Sequence, residues 1–393
     1  MNKLHLDPRN PAFVQNPYTA YAQARRDGPV LFWEDYGMYA AFDGANVQAL
    51  LRDRRLGREI PVEQRPAPQP HLAAFDAIET HSMLELEPPR HTRLRGLVLR
   101  AFTSRRIGAL RPDIEAVSRD LIAGLPQGDF DLIPAYCTQL PVRIIARLLG
   151  VPETMAPDLL AWSNAMVAMY QANRDRQIED AANAAAAEFT AFLRDYIEQR
   201  RTDPRDDLIT QLIAAEEDGS KLSNDEMIGT CVLLLNAGHE ATVHSLGNSV
   251  KCLLEHDTPR DMLAPERVNA TVEELLRYDP PLHLFTRYAY ADIELGAVTL
   301  KKGEQIALIL GAAGRDPALH TAPDDFDPAR PAKPHAAFGG GLHFCVGAPL
   351  ARLELQTALP MLFDALPQMR LAEEPCYADT FHFHRLERLM VTR

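Results

Sequence analysis

No run of this sequence is apolar over enough residues to span a bilayer, and the opening stretch MNKLHLDPRNPAFVQNPYTAYAQARRDGPV contains no apolar leader core. No membrane anchor or export signal is expected, and the chain reads as cytoplasmic. Cysteine is scarce: five in 393 residues, with no C-x-x-C spacing. That excludes a disulfide framework and a zinc ribbon, and it fits a reducing compartment. Positive charge is also in deficit, with 41 Lys and Arg against 54 Asp and Glu, which excludes a nucleic-acid binder. No Ser/Gly linker or charge block divides the chain, so residues 1–393 are expected to form one domain large enough to enclose a cofactor.

What the sequence does contain is mostly helical periodicity. YTAYAQARRDG and GANVQALLRDRRLG read as helices beside the strands PVLFWED and MYAAF of a small sheet. Pro61, Pro66, Pro68 and Pro70 punctuate a polar stretch, and roughly residues 58 to 80 are predicted to be a long loop that carries binding function. Beyond it, RHTRLRGLVLRAFTSRRIGALRPDIEAVSRDLIAGL, EDAANAAAAEFTAFLRDYIEQRR and the segment opening at Ser223 have helical spacing. Strands return at IELGAVTL and EQIALIL. The fold class is mainly α with a minor β part.

The stretch HAAFGGGLHFCVGAPLAR, residues 335–352, sets Cys345 apart. A free cysteine is ordinarily an inert core thiol, and Cys137, Cys231, Cys252 and Cys376 are read that way. At Cys345, three glycines at 339 to 341 let the backbone approach something closely, and APLARLELQTALPMLFDAL has the spacing of a helix. A thiol at a helix N-terminus is biased towards the thiolate that a nucleophile or metal ligand needs. The loop alone leaves three readings open: a nucleophile with His343 as base, a metal ligand, or a phosphate cradle. Against the last, neither G-K-[ST] nor G-x-G-x-x-G is present.

Phe338-GGGLHF-Cys345-V-Gly347 resembles the haem-binding signature F-x-x-G-x-x-x-C-x-G of the cytochrome P-450 superfamily, and the length fits its soluble bacterial members. The resemblance runs from NPAFVQNPY through RDP at 315–317 to the cysteine helix. It implies that family's fold, with haem b enclosed between a long distal helix and a proximal cysteine loop. It also implies Cys345 as axial thiolate and metal ligand, with Phe338, Gly339 and Gly347 shaping the loop on the cofactor's proximal face. His91 and Arg95 in HTRLR, Arg287 in HLFTR and His335 match the propionate-binding positions. Glu274 and Arg277 in EELLR, with Arg330 of FDPAR, match a buried structural cluster behind the haem.

The segment SNDEMIGTCVLLLNAGHEATVHSLGNSVKCLLEH opens on a capping box, Ser223 with Glu226, and its length of about 30 residues corresponds to roughly 45 Å of helix. Gly238 in its middle costs on the order of 1 kcal/mol against alanine, which calls for a reason such as close approach of a ligand. By spacing, Glu240 reads as an i,i+4 partner of His244. AGHEAT also resembles the family's A-G-x-[DE]-T, in which acid and alcohol deliver protons to dioxygen. Glu240 matches the acid, but Ala241 occupies the threonine position. Thr242 follows, turned about 100° around the helix. This departure implies that substrate or water supplies the hydroxyl, that the enzyme is poorly coupled, or that it works with peroxide.

By resemblance, the chain is a monooxygenase that hydroxylates, O-dealkylates or epoxidises a small, mainly apolar molecule using dioxygen and two electrons. No flavin or NAD(P)H domain fits in 393 residues, so a separate ferredoxin system is expected. Arg90, Arg93, Arg100, Arg105 and Arg106 would offer it a basic docking face. By family position, substrate contacts fall to Met83, Leu84, Leu233, Asn236, Ala237, Ala241, His283, Phe285, Phe381 and Phe383. Two other classes stay open: a non-catalytic haem sensor, and a cysteine hydrolase using Cys345 and His343.

Overall fold

The computed structural model describes residues 3–171, 174–217 and 219–393. Val30–Trp33 and Met38–Ala41 pair antiparallel, and Gln305–Ile309 joins them in parallel through Met38–Ala41. Leu284–Ala289 lies antiparallel on its other side. The short strands Lys3–Leu4 and Leu56–Gly57 finish the two edges of this six-stranded sheet. Ile306 to Ile309 are buried in succession, as a strand covered on both faces requires. IELGAVTL folds separately, as a hairpin of Ile293–Leu295 and Val298–Leu300 turned at Gly296.

Helices make up most of the rest. Asn224–Glu255 has 32 residues, hence about 48 Å of length, and buries residues on all its faces. Ser223 Oγ accepts from the Glu226 amide, and the Glu226 carboxylate accepts from the Ser223 amide, completing the capping box. The helix packs against Gln139–Leu149, Val268–Tyr278 and Ala348–Ala365. Among the described residues no helix is long and apolar enough to cross a membrane.

The predicted loop at 58–80 ends early. After two short 3₁₀ turns, Ala73–Glu79 is an α-helix, because the prolines stop at Pro70 and Phe75 and Ile78 reach the core. Cys376, read as a core thiol, is exposed, whereas Cys137, Cys231 and Cys252 are buried.

Segments far apart in sequence meet at Asp279. Its carboxylate accepts from the Tyr18 hydroxyl at 2.7 Å and pairs with His384 Nδ1 at 2.9 Å. His384 Nε2 in turn reaches the Val14 carbonyl at 3.2 Å. His283, expected to touch substrate, belongs to this network instead: it is fully buried, with Nδ1 at 2.8 Å from the Tyr21 hydroxyl. The physical reason is alternation, since Leu282 and Leu284 take the cavity side and turn His283 the other way. Burial then holds its pKa well below the usual histidine range.

Candidate active site

The cysteine loop is built on backbone contacts that only glycine allows. Gly341 has φ +65°, and a Cβ there would lie 2.4 Å from the Leu51 carbonyl. Gly339 has φ +68°, and its Cβ would press on the Phe285 ring at 3.0 Å. The close neighbours of these two glycines are thus protein groups, and they clamp the loop onto the sheet side of the molecule. The Cys345 amide donates to the Phe338 carbonyl at 3.0 Å, which turns the chain so that helix Ala348–Ala365 can start. Burial pushes the Cys345 thiol pKa up, while the amides of Gly347 and Ala348, then Arg95 and Arg352, act in the opposite sense.

Cys345 lies on the wall of a cavity of about 620 Å³, together with Phe338, Gly347 and Leu350. The long helix contributes Leu233, Asn236, Ala237, Gly238 and Glu240 to Thr242. Met83, Leu84, Phe285, Phe381 and Phe383 also line it, so the structure brings together every expected substrate contact except His283.

His91, Arg95 and His343 gather on the same wall. His91 is buried with Nδ1 unpartnered, and its ring lies 4.5 Å from that of His343. Burial, then the His343 and Arg95 charges, lowers its pKa to about 4. Arg95 donates to the Phe344 carbonyl at 2.6 Å, and His343 Nε2 pairs with Glu87 at 2.8 Å. Arg287 is buried just outside the cavity wall and donates to the Thr286 carbonyl. Burial, then Arg58, lowers its pKa to about 10. His335 is elsewhere: Nε2 pairs with Glu273 at 3.1 Å, and Glu273 also holds Arg352 by two hydrogen bonds. His343, the histidine two residues before the cysteine, is the one that stands beside His91.

Glu274 and Arg277 form a two-point pair, at 2.7 and 2.8 Å, and Arg330 adds a third contact to Glu274 at 3.1 Å. Arg277 also donates to the carbonyls of Gly314 and Pro323, so its guanidinium is saturated away from water. In the long helix, Glu240 faces His244 at 3.0 Å and His239 at 3.6 Å. Burial alone would raise its pKa, but the hydrogen bond and charge of His244, then His239, bring it to about 2. Thr242 touches the cavity, yet its hydroxyl donates back to the Gly238 carbonyl at 3.1 Å. Among the expected docking arginines, Arg93 pairs with Glu226, Arg106 with Asp206 at 2.7 Å, and Arg90 donates to the Thr80 carbonyl at 2.8 Å.

A family model described as Cytochrome P-450 matches residues 143–366. The chain is 39% identical over 390 residues to the vitamin D(3) 25-hydroxylase of Pseudonocardia autotrophica, an alignment covering 97% of this chain and 94% of that enzyme. This chain belongs to the cytochrome P-450 family. A second cytochrome P-450 relative, 6-deoxyerythronolide B hydroxylase of Saccharopolyspora erythraea, is 34% identical over 383 residues, with 93% and 92% covered. The crystal structure of P450BioI in complex with hexadec-9Z-enoic acid ligated acyl carrier protein has the same fold. Its TM-score is 0.91 at 33% identity, over 97% of this chain and 99% of that one.

Cytochromes P-450 are oxidoreductases that carry haem b on a cysteine thiolate. The residues present fit that group. Cys345 lies on the cavity wall with two backbone N–H groups on its sulfur. The unpartnered His91 Nδ1, Arg95 and His343 form a donor set suited to carboxylates. Membership, and relatives named as hydroxylases, set aside the hydrolase and sensor readings. His343 in any case pairs with Glu87 rather than with the thiol. Arg58, Glu79 and Tyr170 also line the cavity and carry no motif in the sequence that would have announced them.

Proposed function

We propose that this chain is a haem-thiolate monooxygenase, folded as one domain, that transfers one oxygen atom of dioxygen to a small, mainly apolar molecule. The observation that carries the reading is one cavity wall shared by Cys345 and by the Glu240–Ala241–Thr242 segment. When bound, haem supplies the reductive activation of dioxygen and the oxidation of the substrate. Cys345 would hold the iron, its thiolate favoured by the Gly347 and Ala348 amides and by Arg95 and Arg352. His91, Arg95 and His343 would hold the propionates, with Arg287 as a fourth candidate. Phe338, Gly339 and Gly347 would support the proximal side, and the Glu274, Arg277 and Arg330 cluster would keep that side rigid.

Glu240, held as a carboxylate beside His239 and His244, would relay protons to the cavity. With no hydroxyl at Ala241 and that of Thr242 held on Gly238, the last hydrogen bond falls to a substrate hydroxyl or an ordered water. Electrons would come from a ferredoxin system in the cytoplasm, docking near Arg90, Arg93, Arg100, Arg105 and Arg106. The mainly apolar lining at Met83, Leu84, Leu233, Phe285, Phe381 and Phe383 supports a substrate of the kind the relatives are named for. Asn236 and Ala237 would border it on the long helix. The test is the absorption spectrum of the reduced protein under carbon monoxide. A strongly red-shifted Soret band that disappears in Cys345→Ala is expected, and its absence from the wild type would sink the reading.

A further inference from the structure

Glu79 is a charged group in the cavity wall that oxygen transfer does not use. It is the last residue of helix Ala73–Glu79, one turn after Asp76. Its carboxylate therefore sits at the negative end of the helix, among like charges and partly out of water. Arg58, reaching the same wall from just beyond strand Leu56–Gly57, is held by Glu85. The partner that Glu79 does have is neutral: the Tyr170 hydroxyl, which donates to Oε2 at 3.2 Å from the turn Ala168–Tyr170. Among the described residues no ion pair reaches Glu79. Burial, then the Glu85 charge, outweighs Tyr170 and Arg58 and pushes its pKa up to about 7.

With Arg58 held by Glu85, Glu79 has no ion-pair partner among the described residues. We infer that the substrate supplies it: the cavity recognises a mainly apolar molecule bearing an ammonium group, which pairs with Glu79 while Tyr170 orients the carboxylate. This rests on the cavity being the substrate site of a monooxygenase. Glu79 acts in recognition, so it sets which molecules enter and leaves the oxidation chemistry to the cofactor side of the cavity.

The haem-loaded protein is titrated with dodecyltrimethylammonium and with 1-dodecanol, which share an alkyl chain and differ in charge, and whose heads do not compete as nitrogen ligands for iron. Kd is read from the Soret shift and, independently of spin state, by calorimetry. The wild type is expected to prefer the cation by about tenfold or more. The preference should grow between about pH 6 and pH 8, as Glu79 ionises. Glu79→Gln should abolish it while leaving dodecanol affinity within about twofold. Equal affinity of the wild type for both probes, or a preference retained in Glu79→Gln, overturns the inference. The wild-type pH series decides the matter if the variant fails to fold. The carbon monoxide band on the same samples separates the two claims: if it is present without a charge preference, only the role of Glu79 falls.

Discussion

Glu240 and His244 face each other across one turn of the long helix at 3.0 Å, with His239 at 3.6 Å from the other carboxylate oxygen. The arrangement leaves a carboxylate on the cavity wall with an imidazole on either side. Glu240→Gln keeps the shape and removes the carboxylate that would relay protons. Turnover with a surrogate ferredoxin and reductase should fall about 100-fold, with the Soret spectrum unchanged. A rate equal to wild type would take Glu240 out of the proton path.

Ala241 lines the cavity without a hydroxyl. Ala241→Thr is expected to raise the product formed per NAD(P)H consumed for surrogate substrates that carry no hydroxyl. It should leave coupling unchanged for a substrate that brings its own. Peroxide release measured beside product distinguishes the two, and no change with any substrate would argue that ordered water already fills the role.

His343 and His335 make opposite predictions. His343→Ala, on the cavity wall, should lower haem retention and leave the apoprotein fold intact. His335→Ala loosens the Glu273 and Arg352 contacts and should cost about 1–3 kcal/mol of stability, with haem content unchanged. Haem-to-protein ratio and Tm, measured on both, decide the assignment.

Glu274→Ala would leave Arg277 and Arg330 without their shared anion, one of them fully buried. Breaking a buried pair from one side costs about 3–5 kcal/mol, so little haem-loaded protein should be recovered. Normal yield with a normal carbon monoxide band would show the cluster to be dispensable.

Acid stability follows from Glu273. Burial alone would raise its pKa, but the hydrogen bonds from His335 and Arg352 bring it to about 2. A carboxylate lowered on folding stabilises above its unfolded value near 4.3 and loses that contribution as the pH falls towards the folded value. Glu240 titrates in the same window. Tm should therefore drop between about pH 4 and pH 2, less steeply in His335→Ala, and parallel curves would refute the linkage.

The helices, the sheet strands and the cysteine loop were legible in the sequence because they rest on local periodicity, caps and a spaced signature. The Glu274, Arg277 and Arg330 cluster was legible by resemblance for the same reason. Contacts set by the direction a side chain points were not. His335 and His343 flank the same glycines, and only the fold turns one towards Glu273 and the other towards His91. His283 is lost to the core by strand alternation, and Arg93 and Arg106 find partners more than 90 positions away. Glu79 gave no signal, since a glutamate ending a short helix is ordinary until a cavity lies beside it.

Phe381 and Phe383 close part of the cavity, and their neighbour His384 is tied to Val14 across 370 residues. During synthesis, then, the first segment of this enclosure waits for almost the whole chain before its partner exists. Closing that part of the wall therefore carries the loop-closure entropy of nearly the whole chain.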